Sequence, residues 1–212
     1  MAARLVRLIE TDNCVLEGVE WLAKAEPRFA YAYEQTGPLP LRRRPDGFDR
    51  LLSAIVSQQV SVASATAIWN KLEAAGMTSP ELIIRTSDDD LRALGLSRQK
   101  ARYARALAEA DIDYIALRDM PTDDVVKTLV AVPGIGIWTA EIYAMFALGH
   151  SDVLPAGDLA LQEAARILFE HDERPKEKAF RTMGDAWAPW RSVAARLLWA
   201  YYAVAKDREG IR

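Results

Sequence analysis

The stretch Val132-Pro133-Gly134-Ile135-Gly136-Ile137-Trp138-Thr139-Ala140 decides the fold, because it predicts a tight turn between two apolar helices. On its N-terminal side, the spacing of apolar residues predicts a helix over 123–132, with Thr122 as its N-cap. Pro133 ends that helix, and a second helix is predicted over 137–148. The sequence therefore predicts a helical hairpin over residues 123–148.

The turn of this hairpin has the composition of a backbone anion site. Gly134 and Gly136 allow conformations and close approaches that other residues do not. The N–H groups at the start of the second helix would then face a ligand such as a phosphate, with no basic side chain required. An ordinary turn between two helices is the alternative that so short a motif leaves open.

The rest of the chain also follows a helical period, in segments bounded by Gly, Pro, Ser or Asp. No segment alternates as a strand does, so we predict an all-α protein. N-caps are predicted at Ser61, Ser87, Ser97 and Asp158. The clearest predicted helices are 13–24, 48–57, 62–75, 88–94, 98–110, 123–132, 137–148, 159–170, 176–186 and 190–205.

Composition excludes several classes of protein. No apolar run is long enough to span a bilayer and the first residues lack a secretory pattern, so we expect a cytoplasmic protein. Cys14 is the only cysteine, which rules out an internal disulfide and a four-cysteine iron–sulfur or metal site. His150 and His171 are the only histidines, and we expect both at the surface or at helix ends. We therefore predict no metal site built from side chains.

The charge pattern bears on nucleic-acid binding. The formal net charge of -3 opposes a simple duplex-binding protein, because phosphate neutralisation drives such binding. Net charge does not report distribution, however, and a local basic face is predicted from Arg42, Arg43, Arg44, Arg98, Lys100, Arg102 and Arg105. A solvated charge run is the alternative for each of these residues.

Four motifs connect this chain to a known family. They are AIVSQQVSV at residues 54–62, LGLSRQKA at 94–101, the hairpin turn with Gly157-Asp158 beyond it, and WAPWRS at 187–192. In this order they resemble the helix-hairpin-helix (HhH-GPD) DNA glycosylase superfamily, and specifically its bacterial 3-methyladenine DNA glycosylase II branch. The similarity runs from about Phe48 to the C-terminus.

The resemblance implies a two-lobed helical glycosylase fold with a cleft between the lobes. One lobe would span about 48–151 and contain the hairpin, and the other would comprise about 1–47 plus 152–212. Some members of this branch carry a β-rich domain before this core, and we expect none here. Trp187 and Trp190 are expected to pack in the core.

The resemblance also assigns chemistry to Asp158. A fixed carboxylate near the sugar stabilises the positive charge that develops as a base departs and can orient water. From its position alone, Asp158 reads more readily as a helix N-cap, and the family motif favours the catalytic role. Members that also nick the backbone carry a nucleophilic lysine where this chain has Trp138, so we predict a monofunctional enzyme that uses water.

Further site residues follow from the family pattern. The base pocket is predicted to contain Trp138 and Trp199, with Ile142 at the position of the family's pocket tyrosine and Tyr143 beside it; aromatic rings there would hold a cationic base. A wedge that fills the gap left by a flipped base is predicted at Gln58, Gln59 and Val60. The DNA-binding hairpin residues are predicted to be Pro133, Gly134, Ile135, Gly136 and Thr139.

These features together predict a 3-methyladenine DNA glycosylase II-like enzyme of base excision repair. It would flip alkylated purines such as 3-methyladenine and 7-methylguanine out of double-stranded DNA and hydrolyse their N-glycosidic bonds, leaving an abasic site. We expect a monomer without cofactor, although a monovalent cation at the hairpin backbone stays open. The alternatives are an enzyme of this fold for deaminated or oxidised bases, a non-catalytic DNA-binding module, and a helical interaction scaffold. A pure binding module would have no use for Asp158, since a carboxylate repels phosphates.

Overall fold

The computed structural model describes residues 6–206, and within that range the regular structure is helical, as predicted. A bridge between Leu8 and His150 is the one β-type pairing in this range. A π-helix spans Ala144–Leu148 and a 3-10 helix spans Asp185–Trp187. The α-helices are Asp12–Ala25 (α1), Pro27–Thr36 (α2), Phe48–Ser57 (α3), Val62–Ala74 (α4), Pro80–Arg85 (α5), Asp88–Ala93 (α6), Arg98–Glu109 (α7), Tyr114–Asp119 (α8), Thr122–Val130 (α9), Ile137–Tyr143 (α10), Leu159–Leu168 (α11), Glu177–Gly184 (α12) and Arg191–Ala205 (α13).

Side-chain caps begin several of these helices. The four predicted N-caps, Ser61, Ser87, Ser97 and Asp158, each accept a hydrogen bond from a backbone N–H of the first turn. Such a cap is worth about 1 kcal/mol because it satisfies a donor that the helix leaves without a partner. The prediction for Thr122 was wrong: Thr122 is already helical, and the N-cap of α9 is Pro121, which has no side-chain hydrogen bond to offer.

The chain divides into two units. One comprises Arg44–Tyr143, and the other comprises the described residues up to Arg43 together with those from Ala144 onward. The predicted lobes differed over the last turns of the hairpin region, which the structure assigns to the second unit. The backbone explains this, because Ile9 N–H donates to the carbonyl of Gly149 and Ser151 N–H donates to that of Arg7.

The unit of Arg44–Tyr143 is built around α3 and α7. Their contact faces are apolar, and α5 and α6 pack against α7 while α9 packs against α10. Burial of these side chains supplies the main stabilising free energy. The core residues include Leu51, Leu52, Ile55, Leu72, Ile83, Leu91, Leu107 and Leu129.

The second unit is organised around α13, which packs against α1, α2 and α11. Gly18 permits the approach of α1, since a Cβ atom there would lie 2.6 Å from Cγ2 of Val193. Trp187 and Trp190 are buried, as predicted, and Trp187 packs edge-on against Phe29 and Phe180. His150 is fully buried, so a surface position is wrong for it, but it does lie at a helix end, where its N–H donates to the carbonyl of Ala144; His171 is exposed.

Candidate active site and nucleic-acid interface

Asp158 begins α11 in a rigid setting. Its Oδ1 accepts hydrogen bonds from the N–H groups of Ala160, at 2.9 Å, and Leu161, at 3.0 Å. The loop before it is held by Gln162, whose side-chain amide donates to the carbonyl of Ala156 at 2.8 Å. Asp158 is therefore a helix cap, and the same contacts fix it as a half-buried negative charge.

Two aromatic rings lie beside this carboxylate. The indole N–H of Trp199 points to Oδ1 of Asp158, with 3.3 Å between Nε1 and Oδ1. Phe146 stacks on Trp199 with 6.1 Å between ring centroids and 27° between planes. The structure thus brings together the predicted Asp158 and Trp199 and adds Phe146, which the sequence analysis missed.

Two features of the sequence could have pointed to Phe146. It lies four residues after Ile142 and eight after Trp138, so helical spacing places it on the face of those predicted pocket residues. It is also an aromatic residue within an otherwise small and aliphatic segment, which the structure forms as the π-helix Ala144–Leu148. Neither feature distinguishes a core residue from a pocket residue.

The other predicted pocket residues belong to the unit of Arg44–Tyr143. Trp138, with 47% of its surface exposed, and the half-buried Ile142 lie on α10. Tyr143 is buried, its hydroxyl accepts a hydrogen bond from Gly47 N–H at 2.9 Å, and burial raises its pKa to about 12. Tyr143 is therefore a core residue of this unit, because packing and this hydrogen bond occupy its ring and hydroxyl.

The hairpin joins α9 to α10 through a tight turn, in which Ile135 N–H donates to the carbonyl of Val132 at 3.1 Å. Gly134 has φ +94°, and a Cβ atom there would lie 2.6 Å from Cδ2 of Tyr103. Both the conformation and this contact require glycine. At Gly136 the space is open, with no atom within 4 Å of a Cβ position. Pro133 is exposed, Ile135 is buried and Thr139 is half-buried.

The predicted wedge is the turn between α3 and α4. Gln58 holds it against the hairpin, since its side-chain amide donates to the carbonyl of Gly134 at 2.9 Å. Gln59 has φ +56° and is exposed, as is Val60. A cavity of about 520 Å³ lies between this turn, the start of α7 and the hairpin. Wedge and hairpin therefore form one continuous surface within this unit.

Two members of the predicted basic face serve inside the protein instead. Lys100 is buried, its ammonium donates to the carbonyl of Val56 at 2.6 Å, and burial lowers its pKa. Arg105 donates to the carbonyls of Ile83, Ile84 and Thr86 and pairs with Asp88. The prediction was wrong for these two residues. Both side chains donate to backbone carbonyls at the C-terminal ends of α3 and α5, where the helix itself supplies no N–H partner. Arg98 and Arg102 are exposed on α7.

Two further observations concern ions and membranes. Among residues 6–206, no group of three or more His, Cys, Asp or Glu side chains is arranged to hold a metal ion. Over the same range, none of the helices combines the length and apolar character needed to cross a membrane.

Comparison with known proteins places this site in a family. A model of the HhH-GPD superfamily of base excision DNA repair proteins matches residues 52–189. The crystal structure of a DNA-3-methyladenine glycosidase from Bacillus halodurans matches this protein with a TM-score of 0.81. The two sequences are 33% identical, and the match covers 95% of this chain and 95% of the other chain. The structure of a Schizosaccharomyces pombe 3-methyladenine DNA glycosylase in complex with abasic DNA matches with a TM-score of 0.75. The sequence identity is 25%, and the match covers 90% of this chain and 97% of the other chain.

A comparison by sequence agrees. DNA-3-methyladenine glycosylase 1 of Schizosaccharomyces pombe is 27% identical over 80% of this chain and 78% of its own length. The chain belongs to the HhH-GPD superfamily of base excision DNA repair proteins, which confirms the resemblance predicted from the four motifs.

Proposed function

We propose that this protein is a monofunctional DNA glycosylase that releases alkylated purines, chiefly 3-methyladenine and 7-methylguanine, from double-stranded DNA. The observation that carries the proposal is the Asp158 carboxylate, held by two backbone N–H groups and by the indole of Trp199, with Phe146 stacked behind that indole. The group combines a fixed negative charge with a flat apolar surface. These are the two features that an enzyme needs to hold a flipped base and to stabilise its departure.

Asp158 would act on the sugar. As the N-glycosidic bond lengthens, positive charge develops on the sugar ring, and a nearby carboxylate lowers the free energy of that transition state. The hydrogen bonds from Ala160, Leu161 and Trp199 hold the carboxylate in one orientation, so little reorganisation is needed when the charge appears. A water molecule then attacks the sugar and an abasic site remains.

The lyase reaction is not part of the proposal. It requires a lysine amine that attacks the sugar to form a Schiff base, and the resemblance implies that this lysine would stand at position 138, where this chain has tryptophan. About half of Trp138 is exposed at the start of α10, where its ring offers an aromatic surface instead of a nucleophile. The proposed product is therefore an intact strand.

DNA would be held by the hairpin and the wedge. The open space at Gly136 lets a phosphate approach the first turn of α10, whose N–H groups have no acceptor within the helix. Gln59, exposed at the tip of its turn, would enter the duplex and hydrogen-bond the base opposite the lesion. We further propose that the protein works as a monomer without a cofactor, with a monovalent cation at the hairpin backbone as the one open addition.

The proposal is tested by incubating the protein with methylated genomic DNA and identifying the free bases released. We expect 3-methyladenine and 7-methylguanine, with strand breaks only after alkali treatment. Release of no base would refute the glycosylase function. Strand breaks without alkali, or a covalent protein–DNA adduct trapped by borohydride, would refute the monofunctional assignment and indicate a lyase.

A further inference from the structure

Arg196 is a buried charge outside the set of residues predicted from the sequence. It lies on α13 with 5% of its surface exposed. Its Nη1 donates to the carbonyl of Leu41 and, at 3.4 Å, to that of Pro40, but Nε and Nη2 have no hydrogen-bond partner. Among residues 6–206 no carboxylate pairs with it. A buried charge without a counter-ion is costly, so its retention calls for a physical reason.

The guanidinium lies over an aromatic ring. Its Cζ atom is 4.9 Å from the centroid of Phe146, within the range of a cation–π interaction. Burial, together with the neighbouring Arg42 and Arg43, lowers the pKa of Arg196 to about 10, so the side chain stays charged at neutral pH. Phe146 in turn stacks on Trp199, which contacts Asp158. A fixed positive charge is thus coupled to the aromatic pair beside the proposed catalytic carboxylate.

We propose that Arg196 determines base specificity by weakening the preference of the pocket for cationic bases, so that uncharged damaged bases become competitive substrates. This inference rests on the proposed glycosylase function. A ring that already faces one cation is polarised away from its other face and attracts a second cation less. A base cation stacked near Phe146 would also be repelled by the buried guanidinium, at a site where solvent screens poorly.

Purines that are damaged without gaining charge, such as hypoxanthine, do not meet this repulsion, because they carry no net charge for the guanidinium to act on. The ligand class that fits is therefore a flat, neutral, damaged purine, alongside the methylated cations.

The test removes the charge of Arg196 in two ways. Arg196→Gln keeps a donor for the carbonyl of Leu41, and Arg196→Met keeps the bulk of the stem over Phe146. The matched control, Arg196→Lys, keeps the charge. For each variant, kcat/KM is measured on identical duplexes that contain 7-methylguanine, a cation, or hypoxanthine, which is neutral.

We expect both uncharged variants to raise the ratio of 7-methylguanine to hypoxanthine excision about tenfold, and Arg196→Lys to leave it within about twofold. General damage to the fold lowers both rates and cancels in the ratio. An unchanged ratio in an active uncharged variant, or an equal shift in Arg196→Lys, would overturn the inference and leave the glycosylase function intact. If the wild-type protein released neither base, the proposed function itself would fail.

Discussion

Asp158 caps a helix, and we propose that the same side chain also has a chemical role. Its Oδ1 atom accepts hydrogen bonds from two backbone N–H groups in the first turn of α11 and from the indole N–H of Trp199. The contacts that begin the helix therefore also orient the carboxylate. A cap needs only an oxygen acceptor, whereas transition-state stabilisation needs the negative charge. Replacing the carboxylate with a carboxamide keeps an oxygen acceptor and removes the charge, and so separates the two roles.

We expect Asp158→Asn to lower the rate of base release about a hundred- to thousandfold while leaving the melting temperature and DNA affinity nearly unchanged. The reason is that asparagine is as good an N-cap as aspartate but carries no charge to oppose the developing positive charge. Single-turnover kinetics on a duplex with one lesion, run beside thermal melting, would measure both effects.

A matched control is available at Asp113, which caps α8 with the same geometry. Its Oδ1 accepts from the N–H groups of Ile115, at 3.0 Å, and Ala116, at 2.9 Å. Asp113→Asn should leave base release unchanged. Near-normal activity in Asp158→Asn, or equal losses in the two variants, would return Asp158 to a purely structural role.

At the residue scale, part of the site could be predicted from the sequence, and the residues that were misjudged or missed have physical explanations. Asp158 and Trp199 were predicted from motifs, and the structure brings their side chains into contact. Tyr143 was misjudged because neighbours in sequence on a helix point in different directions. Phe146 and Arg196 were missed although they stand at helical spacing from Ile142 and Trp199, because spacing does not show which side chains of different elements contact one another.

At the scale of elements, the hairpin assigns different tasks to its two glycines. Gly134 has a positive φ and packs against the ring of Tyr103, so it serves the fold. Gly136 has open space around it, and under the proposed function this space lets a phosphate reach the backbone. A motif alone cannot separate these tasks, because both positions read simply as glycine.

We expect Gly136→Val to weaken binding to lesion-containing and undamaged DNA alike, by about ten- to hundredfold, with little change in melting temperature. The added side chain blocks an approach that depends on charge-assisted hydrogen bonds from the backbone, and such contacts carry no sequence information. Gly136→Ala should show a smaller loss in the same direction. Titrations of both duplexes by fluorescence anisotropy would provide the affinities.

Gly134→Ala is the contrasting variant. It should lower the melting temperature, because alanine disfavours the positive φ and its methyl group would press on Tyr103. If Gly136→Val lost activity with unchanged affinity for both duplexes, the turn would not be the phosphate contact.

Among the elements, most helices could be predicted, and helices α2, α5 and α8 were missed. α5 and α8 span only six residues each, too few for a period to stand out, whereas the equally short α6 was predicted because Ser87 marks its start. The start signals were nevertheless present, since Pro27 and Pro80 occupy first-turn positions that suit proline. The basic face could be predicted only in part for a similar reason. A sequence does not show which cationic side chains, such as Lys100 and Arg105, bind backbone carbonyls of the fold.

At the scale of the whole molecule, the second unit holds a histidine that folding keeps neutral. His150 is fully buried, and burial together with the nearby Arg43 lowers its pKa from an ordinary value of 6.5 to about 4. Its backbone N–H donates to the carbonyl of Ala144, and its pairing with Leu8 links the N-terminal segment to the end of the π-helix. In the unfolded chain the same imidazole is solvated and takes up a proton near pH 6.5.

Folding stability should therefore fall as the pH drops from about 6.5 to 4. Between these values the unfolded state binds more protons than the folded state, so the free energy of unfolding decreases with decreasing pH, by an amount of the order of 3 kcal/mol from this group. Chemical denaturation of the wild type and of His150→Gln from pH 7 to 4 would measure it, with His171→Gln, at the exposed second histidine, as the control. We expect the pH dependence to be shallower in His150→Gln and unchanged in His171→Gln. Equal slopes in all three proteins would mean that His150 gains a proton in the folded state as readily as in the unfolded state, and that its burial does not control the acid sensitivity of the fold.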